Sequence, residues 1–291
     1  MKKNLLLLFL IFYFKGFSQQ NYEYIGVLKL KGNSKMLISY RLVFFLNGNL
    51  IKGYSISDLS GENETKNEIS GFYNKKDNMF SFKEQDIIYT KSKTPSKDFC
   101  LINFAGKSNI EKEKSKISGS FTGRFQNNIK CIDGDLELVK IEKINKIVTK
   151  LNKKIIATKR VNDAVKKKVN PIKIMDSLKI NNLRKNENLN VFAKSNLVLL
   201  TVWDSKIEDG DIVDIYFNNH LILTKYRILN TKKTLPITLK DGENIIKIVA
   251  ISEGYEGENT SEILISDGSR KFELVSSLKK GESSTITILK N

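Results

Sequence analysis

The run "KISGSFTGRF", Lys116 to Phe125, alternates without a break. Ile117, Gly119, Phe121, Gly123 and Phe125 fall on one side, and Ser118, Ser120, Thr122 and Arg124 on the other. Successive side chains of an extended chain point to opposite faces, so a strict period of two predicts a strand with one buried and one wet face. "CIDGDLELV" repeats the pattern, with Ile132, Gly134, Leu136 and Leu138 facing in. Similar short runs from Tyr24 onward predict eight or nine antiparallel strands within residues 19–140, including separate strands at Met79–Glu84 and Ile87–Lys91. In "IKGYS", "ISGFY", "FAGKS", "ISGSF" and "IDGDL", a glycine (Gly53, Gly71, Gly106, Gly119, Gly134) follows an apolar residue by two positions. Glycine inside a strand marks a bulge or a tight coil. The expected fold of this part is therefore a small antiparallel barrel or strongly curved meander. A membrane barrel would need an outward apolar band, whereas the polar face here carries Arg124, Asp133, Asp135 and Glu137.

Residues 190–291 return to short strands separated by turn signals such as Asp241-Gly242 and Asp267-Gly268, which predicts an immunoglobulin-like or jelly-roll β-sandwich. Between the two lies a different pattern. From Ile141 to Val169, the apolar residues Ile141, Ile144, Ile147, Val148, Leu151, Ile155, Val161, Ala164, Val165 and Val169 recur mostly at steps of three or four, the spacing of one apolar stripe on a helix. Residues 141–189 hold 14 Lys/Arg against 4 Asp/Glu, a net +10 of the chain's +17. This segment is expected to be a basic helical connector. Its alternative role is contact with an anionic membrane surface through residues 141–169. Only 6 of the 49 basic residues are arginine. Arginine forks are the usual readers of bases and phosphates, so specific nucleic-acid recognition is not expected.

The chain opens "MKKNLLLLFLIFYFKGFSQQ". Two lysines, ten uninterrupted apolar residues (Leu5–Phe14) and Gly16-Phe17-Ser18 predict a signal peptide over residues 1–18 and export, to the periplasm, outer surface or extracellular space. A bilayer span needs about 20 apolar residues, more than are present here. Export leads to an oxidising compartment, where Cys100 and Cys131, the only cysteines, are expected to pair. Their strand patterns conflict with this, since Cys100 shares a face with Ile102 and Phe104 while Cys131 alternates with Asp133 and Asp135.

The stretch "TVWDSKIEDGDIVDIYFNN" carries Asp204, Glu208, Asp209 and Asp211 around Gly210. An EF-hand register fails: with Gly210 sixth, Ile207 falls third and Tyr216 twelfth. A looser calcium loop is the alternative to a structural turn, which is the expectation. Asp58, Glu62, Glu64 and Glu68 form a second acidic cluster, read as a solvated loop. His220, the sole histidine, lies in a hairpin turn, and no G-x-S-x-G elbow, H-E-x-x-H or phosphate-cradling glycine loop is present. Triad chemistry and zinc hydrolysis are thereby disfavoured, and no catalytic residue, metal or cofactor is implied.

"VWDSKIEDGDIVDIYFNN" and "LKDGENIIKIVAISEGYEGENTSEILISDG" resemble a recurring C-terminal segment of uncharacterised secreted proteins of Bacteroidota. "SYRLVFFLNGNLIKGYSISDLSGENETKNEISG" and "DFCLINFAGK" are similar to the front part of such proteins. The resemblance implies secretion and a two-β-domain architecture, and carries no known activity. The expected function is that of a secreted or envelope-associated, non-catalytic binding protein, with an envelope protein or a glycan as partner. A carboxylate-dependent hydrolase with a carbohydrate-binding sandwich is the alternative.

Overall fold

The computed structural model describes residues 20–32, 36–158, 162–168, 170–172, 175, 181–205, 207–255 and 257–290. The expected leader over residues 1–18 lies outside the described residues. The first domain is an eight-stranded barrel of β1 (Asn21–Leu30), β2 (Leu37–Asn47), β3 (Leu50–Ser57), β4 (Thr65–Asn74), β5 (Met79–Thr90), β6 (Leu101–Lys107), β7 (Lys116–Arg124) and β8 (Lys130–Lys140). Each strand pairs antiparallel with the next, and β8 returns to β1, with Leu136 opposite Leu28.

Aromatic side chains fill the barrel. Tyr24, Tyr40 and Phe80 are wholly buried, and Phe44 stacks on Tyr22 with ring centroids 5.2 Å apart. Closing so few strands around bulky rings demands sharp coiling. A Cβ on Gly53 would lie 2.1 Å from the Val43 carbonyl oxygen, and one on Gly71 2.1 Å from that of Ser81, so only glycine fits at these two positions.

The two strands expected over residues 79–91 are one strand, β5. Its register on β4 shifts between Glu84, opposite Ile69, and Ile87, opposite Asn67. The irregularity divides β5 by partner. Met79–Lys83 pairs with β6, whereas Tyr89 and Thr90 pair with β10 (Asn188–Ala193) of the second domain. The sheet therefore runs without interruption from the barrel into the second domain.

That domain adds β9 (Asn182–Leu183), β11 (Leu197–Trp203), β12 (Ile212–Phe217), β13 (His220–Arg227), β14 (Lys233–Thr238), β15 (Glu243–Ser252), β16 (Asn259–Ser266), β17 (Lys271–Leu278) and β18 (Ser283–Lys290). Strands β13-β12-β15-β18-β10 form one layer and β14-β11-β16-β17-β9 the other. Val198, Leu200, Ile263 and Ile265 of one layer share a core with Ile215, Ile246, Ile248 and Ile286 of the other. Strand pairing here begins at Asn182, ahead of the start at residue 190 read from the sequence, and β10 runs parallel to β18.

The single helix expected over Ile141–Val169 is divided. Helix α1 (Ile141–Ala157) ends where Thr158 turns extended at ψ 109°, and α2 (Asp163–Lys168) is separate. Thr158 is β-branched, and its hydroxyl donates to the Lys154 carbonyl one turn back (2.7 Å), a local bond that competes with helix continuation.

Candidate functional site

A groove of about 710 Å³ crosses the outer wall of the barrel over β3 to β7. The register places Lys52 opposite Ser70, Ser70 opposite Lys83, Lys83 opposite Asn103, and Asn103 opposite Thr122. These five form a row at right angles to the strands. The neighbouring row is Leu50, Phe72, Ser81 and Ala105, paired in that order. Small residues in both rows keep the floor low, and Arg124 stands at the end of the groove. Phe72 is 44% exposed and Leu50 53%. The lining holds three cations, four hydroxyls and an amide, and no carboxylate. The alternation that forms β3 to β7 makes both rows: the same strands that send Ile51, Ile69, Phe82 and Phe104 inward send these residues out.

The disulfide expected from export forms. Cys100 and Cys131 are bonded across a Cα separation of 6.0 Å. The conflict between their strand faces is resolved by Gly123. A Cβ there would sit 2.4 Å from Cys100 Sγ and 3.1 Å from Cys131 Sγ, so the bridge passes over β7 where β7 has no side chain. The register on β8 is irregular at that same point, between Thr122 and Arg124, which turns Cys131 towards its partner.

The acidic residues singled out from sequence are engaged in structure. Asp211, 1% exposed, accepts the Gly254 amide on one oxygen and the Thr260 amide on the other, both at 2.7 Å. Burial pushes its carboxyl pKa up, against the pull of those two amides, and the nearby Asp209 and Asp204 push it further. Glu208 accepts the Asn230 amide (2.6 Å), and the Asp209 carbonyl accepts that of Tyr255 (3.2 Å). Asp204 is buried, with its own amide on the Leu229 carbonyl. The loop thus ties residues 228–230, Gly254, Tyr255 and Thr260 to the end of β11. Among the described residues no three Asp, Glu, His or Cys side chains converge to hold a metal ion.

The second acidic cluster departs from the solvated loop expected. Glu64 is 5% exposed and accepts the hydroxyl of Tyr89 at 2.8 Å and the Ser60 amide. Glu68 is drawn into the junction between domains: Arg270 Nη2 lies 2.8 Å from Glu68 and 2.9 Å from Asp86, and Lys194 Nζ lies 3.1 Å from Asp86. Their positions in an apparent loop gave no signal of Tyr89, 25 residues from Glu64, or of Arg270, 202 residues from Glu68.

Sequence reasoning also missed Glu84. Where β5 leaves β6 for β10, the Ile102 amide loses its strand partner and donates instead to Glu84 Oε2 at 2.7 Å. Tyr40 and Ser55 donate to the other oxygen at 2.9 and 2.5 Å. Burial raises this carboxyl's pKa while the donors oppose the shift. Glu84 and Asp86 border one hollow, as a carboxylate pair for hydrolysis would. The first is enclosed by donors, and the second is held by Arg270 and Lys194. The geometry defines a two-domain β protein with a filled barrel, a shared sheet and a basic groove on the barrel wall. No family model matches the chain, and no curated protein or solved structure matches it significantly.

Proposed function

We propose that this chain is a non-catalytic, envelope-associated binding protein whose groove takes an acidic glycan. The observation that carries this reading is the lining. Lys52, Lys83 and Arg124 attract anionic substituents. Ser70, Asn103 and Thr122 offer bonds to sugar hydroxyls, and exposed Phe72 offers a face to sugar C–H groups. The absence of any carboxylate from this lining, the three donors on Glu84 and the ion pairs of Asp86 Oδ2 with Arg270 and Lys194 favour binding over hydrolysis. The bonded cysteines support export, as does the leader-like start of the sequence. No helix among the described residues is long and apolar enough to cross a membrane. The resemblance to secreted Bacteroidota proteins agrees with this location. The two-layered second domain is read as an immunoglobulin-like sandwich, and the basic segment after β8 as its link to the barrel.

An array of uronate-containing, phosphorylated and neutral glycans tests the proposal. Acidic glycans should be retained and neutral ones not. Lys52→Gln with Lys83→Gln should weaken binding by about ten-fold or more, the loss of two charge-assisted contacts, without lowering Tm. Equal retention of neutral glycans, or release of reducing sugar by the wild type, would sink the reading.

A further inference from the structure

Helix α1 leaves the barrel with half of itself unpartnered. Ile141 is buried at its start, and its neighbours in the fold are β8 and β1. Beyond that anchor the stripe runs out into solvent. Ile147 is 53% exposed and Leu151 48%, and Ile144, Val148 and Ile155 are only half-buried. At about 100° per residue, all five side chains fall within one third of the helix circumference. Lys143, Lys150 and Lys154 flank the stripe on the Ile147 side, and Asn145 and Asn152 flank it on the other. Five lysines against Glu142 give α1 a net charge of +4.

An apolar stripe of this length in water costs free energy unless something covers it. Charge decides between the candidates. A second copy of α1 laid along the stripe would bring two +4 helices together, with the lysines of each beside those of the other. A neutral apolar partner would leave the lysine flank without a role. A bilayer with anionic headgroups satisfies both faces: the stripe enters the boundary between headgroups and acyl chains, and the long lysine stems reach back to the phosphates. The geometry points to α1 as an interfacial anchor that lays the protein on an anionic phospholipid membrane. The helix lies in the membrane plane and does not cross it, because 17 residues with five lysines are too short and too charged. Its position after β8, rather than at the groove, leaves the barrel wall open while the protein is docked.

The test uses residues 19–291, which contain every described element. Sedimentation with vesicles of phosphatidylglycerol and phosphatidylcholine is compared with sedimentation with phosphatidylcholine alone. The protein should bind the anionic vesicles at about 50 mM salt, lose most of that binding at about 500 mM, and ignore the neutral ones. Lys143→Gln with Lys150→Gln and Lys154→Gln should weaken binding by about 100-fold, the sum of three lysines at about 1 kcal/mol each near an anionic surface. Ile147→Ser with Leu151→Ser should weaken binding by a similar factor while Tm stays within about 2 °C, because the wild-type side chains touch little of the fold. Three outcomes overturn the proposal. One is no binding to anionic vesicles. Another is a serine variant with a clearly lowered Tm and unchanged vesicle binding, which would mean that the stripe packs within the chain. The third is a wild-type dimer in solution that the serine variant dissociates, which would make the second copy the occupant. Groove variants such as Lys52→Gln should bind vesicles normally, so failure here and failure of the glycan reading are told apart.

Discussion

Glu84 shows how much can rest on one side chain. It closes the gap opened where β5 parts from β6, and three donors converge on it. Glu84→Leu would leave Tyr40, Ser55 and the Ile102 amide without an acceptor, at a cost of about 3 kcal/mol or more. Glu84→Gln, which keeps one acceptor oxygen for the hydroxyls, should cost less, and urea denaturation midpoints for the two variants measure the difference. Alternation puts Glu84 in phase with the inward Phe80 and Phe82, but nothing local in "SFKEQDIIY" names its partners, which come from β2, β3 and β6. Lys66 is a second case. Its ammonium lies 3.9 Å from the centre of the Tyr54 ring, and burial, with help from Arg41, pulls its pKa down to about 8. The unfolded chain then holds more protons than the folded one above pH 8, so stability rises with pH through that window towards the ordinary lysine value. Between about pH 7.5 and 9.5 the gain should be about 2 kcal/mol and should vanish in Lys66→Met, as read by denaturation at each pH.

At the level of elements, the strands were legible because alternation reports which face is buried. The alternating runs Lys116–Phe125 and Cys131–Val139 differ from β7 and β8 by one residue at each unmatched end. Turn chemistry was partly legible. Asn218 and Asn219 both adopt positive φ, 48° and 65°, so this pair serves the β12–β13 hairpin as Asn-Gly would, because asparagine tolerates the left-handed region. The bulge that makes β5 one strand with two partners was not legible, since a bulge looks in sequence like the gap between two strands. The route of the disulfide over Gly123 depends on the same kind of irregularity in β7 and β8. Gly123→Ala should therefore force the bridge out of place, and thiol labelling of the denatured, unreduced protein should find free cysteine in this variant and none in the wild type. Loss of the bridge, which spans a sequence separation of 31, should lower stability by about 4 kcal/mol on the chain-entropy account.

For the whole molecule, the junction makes the two domains one body. Tyr89 leaves the barrel strand to enter the core of the second domain, 5% exposed, and its hydroxyl reaches back to Glu64. Arg270, held by the turn after β16, binds Glu68 and Asp86 on the barrel, with Lys194 beside it. The Arg270 side chain is 8% exposed, whereas Glu68 and Asp86 are 41% and 46% exposed and keep Lys194 beside them. Arg270→Met should therefore cost about 1–2 kcal/mol, and part of that should be recovered when Glu68→Gln and Asp86→Asn are added. Calorimetry should show one transition for the wild type and two for Tyr89→Ala, in which a large aromatic anchor is lost at about 3–5 kcal/mol. A single unchanged transition in Tyr89→Ala would mean that the β5–β10 pairing and the ion cluster suffice to couple the domains.

The amino-acid order by itself determined the periods: two for the barrel and the layered domain, three to four for the basic helix, with glycine where strands must coil. Period is a local property, set by which side of an extended or helical chain meets water, and it needs no knowledge of partners. It also placed Thr122 and Arg124 on the wet face of their strand without revealing which residues of neighbouring strands align with them, because register between strands is decided by pairing. Tertiary structure alone decided that β5 joins two domains, that Glu64 and Glu68 serve a junction instead of a solvated loop, and that among the described residues little covers Ile147 and Leu151 of α1. These are contacts between residues far apart in the chain, and their energies come from burial and pairing that exist only once the sheet has closed.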